Sequence, residues 1–111
     1  MKVGRISFDR DGMNDNLEAL NELRANGHLI TYRNNHHGWD YQWYLYHDAV
    51  IGAQWQGGVF HSIWLADETD LIGKDYEKYL KLKAYVSAKR YTSYKKTGKR
   101  DVPIIDRELE L

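Results

Sequence analysis

Between His28 and Ala66 apolar residues recur at every second position, in runs rich in Tyr, Trp, Ile and Val that Gly and Asn interrupt. Successive side chains of an extended chain point to opposite faces, so this period predicts strands and excludes a helix across the middle of the chain. The segments are Leu29 to Arg33, Trp39 to His47, Ala49 to Trp55 and Val59 to Ala66. Gly57-Gly58 separates the last two, and a two-residue hairpin needs residues that accept positive φ at its centre. Connections this short cannot make parallel crossovers, which leaves an antiparallel meander.

The flanks read differently. Lys2 to Phe8 alternates and runs into Asp9-Arg10-Asp11-Gly12, a short strand followed by a turn. Met13, Leu17, Leu20 and Leu23 then recur at helical spacing, Asp15 and Glu18 fit a capping box, and Gly27 suits a left-handed closing position. After the meander, Asp67-Glu68-Thr69-Asp70 supplies cap and first-turn acids for a long helix from about Asp70 to Lys96, ended by Gly98 and Pro103. The expected fold is α+β in the order β-α-β-β-β-β-α. An antiparallel meander sheet of about four or five strands is packed by a short N-terminal helix and a long basic C-terminal helix. With 111 residues, residues 1–111 form a single domain, and residues 101–111 form an acidic and apolar C-terminal tail.

No run approaches the ~20 apolar residues of a membrane span, and the amino terminus has no apolar stretch of signal-peptide length. The chain has no cysteine, so disulfides and thiolate metal sites are excluded and a reducing, cytoplasmic setting is expected. A formal net charge of zero conceals segregation: residues 1–73 carry −5, residues 74–100 carry +8 and residues 101–111 carry −3. Such asymmetry concerns partners and not the fold.

On a helical wheel Tyr76, Leu80, Ala84, Ala88, Tyr91 and Tyr94 share a face of about 120°, which is expected to dock on the sheet. Lys74, Lys78, Lys81, Lys89 and Lys96 gather within about 80° on the opposite side, with Tyr85 among them. Lys95, Lys96, Lys99 and Arg100 continue the positive patch. Lysines in a row suit phosphate contacts, which give affinity without reading bases. The expected function is therefore a small non-enzymatic binding protein, presenting Lys78, Lys81, Tyr85, Lys89, Lys95, Lys96, Lys99 and Arg100 to nucleic acid or to a nucleic-acid-handling protein. A narrower strip of Tyr79, Leu82 and Val86 is a candidate homodimer contact. The alternative reading is an inhibitor or adaptor of the kind phages and mobile elements encode, occupying a protein partner through the acidic block or the tail.

Aromatic residues stand on both faces of the strands: Trp39, Tyr41 and Trp43 against Tyr44 and Tyr46, and Phe60 and Trp64 against His61. If both helices cover one face, the other exposes rings on which bases, sugars or side chains can stack. The histidines, His28, His36, His37, His47 and His61, form no H-x-x-x-H or H-E-x-x-H pattern, so no metal or cofactor is expected; His47 and His61 are the pair to compare across strands. A metal-dependent hydrolase is the third reading. Ile6-Ser7-Phe8-Asp9-Arg10-Asp11-Gly12 resembles the D-x-D-G strand end of haloacid-dehalogenase-type phosphotransferases. The resemblance implies Asp9 as the attacking carboxylate and Asp11 as acid/base. That family is built on a doubly wound parallel sheet, whereas the meander is antiparallel, which favours Asp9 and Asp11 as turn residues.

Overall fold

The first alternating segment does not make one strand. Gly4, at φ 57°, turns the chain back, so β1 (Lys2–Val3) and β2 (Ile6–Ser7) pair as a small hairpin. Only glycine fits there, because a Cβ would also strike the His47 ring and the Tyr46 hydroxyl. The computed structural model describes residues 1–35 and 37–95.

Met13 does not start the helix as its spacing with Leu17 predicts; β3 (Met13–Asn14) pairs antiparallel with Trp64 and Ile63. Helix α1 (Leu17–Asn26) is capped by Asn16, one residue after the expected Asp15: the Asn16 side chain accepts from the Glu18 N–H at 2.8 Å. Gly27 closes the helix with φ −96°, not in the left-handed region. Its need for glycine is spatial, since a Cβ would meet the Leu23 carbonyl oxygen.

The meander follows as β4 (His28–Asn34), β5 (Trp39–Tyr46), β6 (Ala49–Gln56) and β7 (Val59–Leu65), with Gly57 and Gly58 both at positive φ. With β3 the sheet has five antiparallel strands in the order β3-β7-β6-β5-β4, and the fold is α+β. Asp67 caps a 3-10 turn at Glu68–Asp70, and α2 (Lys74–Lys95) ends the described chain. Among the described residues no helix is long and apolar enough to cross a membrane.

The two helices take opposite faces of the sheet, not the same one. Alternation therefore buries both faces. Tyr44, Tyr46, Ile51, Ala53 and Ile63 pack with Leu20 and Leu23 of α1 and with Ile6 and Phe8. Ile30, Trp43, Leu45 and Val50 pack with Leu71, Tyr79 and Leu82 on the α2 side. Gly52 lies between Trp43 and Trp64 in register, and a Cβ on it would overlap the Trp64 ring.

Helix α2 docks by the face opposite to expectation. Tyr79 is 3% exposed and Leu82 1%, and Val86 packs beside them, so these residues belong to the core and not to a homodimer contact. Tyr76 and Leu80 remain exposed instead, at 36% and 46%. The side chains of Tyr91, Tyr94 and Lys95 lie outside the described part, as do residues 96–111 with Lys96, Lys99, Arg100 and the acidic tail. Partners on the sheet side explain the rotation: the Tyr79 hydroxyl donates to Glu68 Oε2 at 3.0 Å, and Arg33 of β4 pairs with Asp75 at 2.7 Å. Leu82→Ala is expected to lower stability by about 2–5 kcal/mol, and Leu80→Ala by less than about 1 kcal/mol. Urea unfolding midpoints test this, and the reverse ranking would mean that α2 docks by the other strip.

Candidate nucleic-acid interface

With Tyr79, Leu82 and Val86 turned to the sheet, the two flanks of α2 differ in charge. On one flank Lys83 is exposed, and its Nζ lies 5.5 Å over the Tyr79 ring. The Tyr79 hydroxyl, and after it Glu68 and Asp48, push the Lys83 ammonium above its ordinary value, so acids already serve this cation. The other flank carries Lys74, Lys81 and Lys89, all exposed, and the half-buried Lys78. Tyr85 sits among them, half-buried, with the Lys89 ammonium 5.6 Å from its ring centre.

Two acids belong to this helix in its first turn, Asp75 and Glu77. Burial alone would raise the Asp75 carboxyl, but hydrogen bonds from Arg33 and Thr31 and the charges of Arg33 and Lys78 outweigh it and hold it below the usual range. Asp75 is thus committed to the arginine of β4. Glu77 precedes Lys81 by one turn and offsets part of its charge.

The lysine flank continues into a cleft of about 580 Å³ built by the β1-β2 hairpin, the end of α1, the start of β4 and the β5-β6 turn. Arg5, Asn26 and His47 line it as exposed groups, Glu22 and His28 as half-buried ones. The buried Tyr46 ties two of the lining residues together: its hydroxyl accepts from the Arg5 N–H at 3.0 Å and donates to Glu22 at 2.7 Å. His47 holds a left-handed φ of 55° in the tight turn, which packs its ring edge-on to Tyr46 at 4.6 Å. The His28 ring meets Tyr85 edge-on at 6.2 Å. Burial, and then the Lys89 charge, lower the His28 pKa from its ordinary 6.5.

Of the residues expected to bind, the structure gathers Lys78, Lys81, Tyr85 and Lys89 on one flank. Arg5, Asn26, His28 and His47 join them from four other segments. No local pattern marks these four, because only the packing of hairpin, turn and helix brings them together.

The remaining chemistry-bearing residues are placed elsewhere. Asp9 Oδ1 accepts from the Asp11 and Met13 N–H groups at 2.8 and 2.9 Å, so this carboxylate closes the turn, and the sheet beside it is antiparallel. His47 and His61 lie at opposite ends of the sheet and do not face each other: His47 follows the last residue of β5, whereas His61 contacts Trp39, the first. Ser62 Oγ is 2.9 Å from His61 Nδ1, within reach of a nucleophile and base, yet Ser62 is buried and held by Gln54 at 2.8 Å. No group of three or more His, Asp or Glu side chains converges as a metal site among the described residues. No protein-family model, curated protein or solved structure matches the chain.

Because the folded state resists protonation of His28 while the unfolded chain takes up a proton near pH 6.5, unfolding binds protons below that pH. Stability is therefore lost as pH falls through this window. The unfolding midpoint should drop between about pH 7 and about pH 5.5, and His28→Gln should flatten that drop. An unchanged slope in the variant would show that His28 is not the group responsible.

Proposed function

We propose that the chain is a non-enzymatic binding protein that holds the phosphate backbone of nucleic acid against the lysine flank of α2. One observation carries this reading. The rotation of α2 that buries Tyr79 and Leu82 engages Asp75 with Arg33 and leaves Lys74, Lys78, Lys81 and Lys89 along one flank, where four ammonium groups outnumber the carboxylates of Asp75 and Glu77. Ammonium groups on flexible stems are point charges suited to phosphates at variable spacing. Arg5 adds a cation beyond the helix, in a cleft that it shares with Glu22, and in sequence Lys95, Lys96, Lys99 and Arg100 follow the helix. Such binding is insensitive to base sequence.

A second reading has its own support. Tyr76 and Leu80 stand exposed along the remaining face of α2, at 36% and 46%, and Ile72, two residues before the helix, is 70% exposed. Such a strip favours a protein partner, as in a small inhibitor or adaptor. Charge reversal separates the two.

The double variant Lys81→Glu, Lys89→Glu should weaken binding of a labelled oligonucleotide by about tenfold or more at low salt and flatten the dependence of log K on log salt by about two phosphate contacts. Fluorescence anisotropy across a salt series measures both. Unchanged affinity and slope would rule out the lysine flank and leave the apolar strip as the surface to pursue.

A further inference from the structure

Aromatic rings form a continuous row on the α2 side of the sheet, and the helix covers only one end of it. Trp43 is buried under α2, at 8% exposure. Next along β5, Tyr41 lies 6.0 Å from Trp43, and Trp39 lies 6.2 Å from Tyr41 with planes only 11° apart. Tyr41, Trp39 and Trp64 are half-buried, so each keeps part of its surface in water.

Two departures from regular sheet structure hold the row open. Gly52 leaves room for the Trp64 ring, which meets both Tyr41 and Trp43 edge-on, at 6.4 and 6.1 Å. In β7 the register slips, with Gln54 opposite Ser62 and Trp55 opposite Phe60, so His61 is the extra residue of a bulge. Its ring reaches Trp39, edge-on at 5.4 Å, instead of following Ile63 into the α1 side.

Cations adjoin the covered end. The Arg33 guanidinium lies 5.0 Å over Trp43 while one of its nitrogens binds Asp75, and Lys78 acts on that same carboxylate. The lysine flank of α2 and the aromatic row are thus joined through Arg33. A ligand that uses both must carry negative charge and planar rings in a repeating chain. Ring spacings near 6 Å are a little under twice the ~3.4 Å rise per nucleotide of a duplex strand, which suits an extended, unstacked strand and not a duplex.

We infer that Trp39, Tyr41 and Trp64 form a stacking platform for the bases of single-stranded nucleic acid, whose backbone runs on to Arg33 and the lysines of α2. This rests on the proposed phosphate-binding flank and narrows its ligand to the single-stranded form. In a duplex the base faces are stacked on one another and inaccessible to these rings.

Anisotropy with a labelled oligothymidylate of about 12 nucleotides, compared with the same strand annealed to its complement, tests the inference. The single strand should bind at least several-fold more tightly and quench tryptophan emission. Trp39→Leu, which keeps an apolar cover but no ring, should lose roughly five- to a hundredfold for the single strand with duplex affinity unchanged, and Trp39→Phe should restore most of it. Tyr41→Leu against Tyr41→Phe gives the same comparison if Trp39→Leu does not fold. Equal affinity for strand and duplex, or an unaffected leucine variant, overturns the platform while leaving the lysine flank standing. Binding of neither form removes both, and loss on lysine reversal alone identifies the flank as the whole site.

Discussion

The rotation of α2 about its own axis is the constraint on which the rest of the surface depends. The helix carries two apolar strips, Tyr76-Leu80-Ala84 and Tyr79-Leu82-Val86, and burying either gains about 1.5–3 kcal/mol for each large side chain. Between Tyr76 and Val86 the totals are close, with Val86 against Ala84 as the difference. Polar partners then decide. The Arg33–Asp75 pair is part-exposed, with side chains 42% and 27% accessible, and such pairs contribute at most about 1 kcal/mol. The Tyr79–Glu68 hydrogen bond adds to it, and both form only in the observed rotation. Burial holds the helix down, and smaller directional contacts choose which strip is buried.

This is also why the meander was legible in the sequence and the helix face was not. Period two, Gly57-Gly58 and short connections are local signals, and β4 to β7 follow them closely. A wheel drawn for α2 ranks its faces only by composition. It gives the broader strip to the sheet, because Glu68 and Arg33, which favour the narrower one, lie elsewhere in the chain. Met13 failed for a similar reason: its spacing fits a helix, but pairing with Trp64 satisfies its backbone in the sheet. Of the candidate site, Lys78, Lys81, Tyr85 and Lys89 were readable because one helix carries them. Arg5, His28 and His47 come from separate segments and became neighbours only on folding, and Arg33 reaches the helix from the far part of the strand that His28 begins.

The sheet shows how one alternating pattern serves two purposes. Helices on opposite faces turn both sides of β5 into core near Trp43 to Tyr46, yet Trp39 stands outside the cluster that α2 closes. There the same alternation yields half-exposed rings. Gly52 and the bulge at His61 each weaken regular pairing or packing locally, and each serves the position of an aromatic ring.

Charge on α2 points the same way. Lys74 and Lys78, and Lys78 and Lys81, are neighbours on one flank, and like charges at such spacings destabilise an isolated helix by about 0.2–0.5 kcal/mol per pair. Nothing in the packing requires lysine there, since Lys74 and Lys81 touch water and a glutamate at either position would relieve the repulsion. Helix α2 instead depends on Tyr79, Leu82 and Leu71 for its place. A polyanion bound along the flank would neutralise that repulsion in the folded state only, because the unfolded chain spreads the same charges apart. On the proposed reading, ligand affinity and helix stability would be coupled through one set of ammonium groups, and the cost carried by the free protein would be recovered on binding.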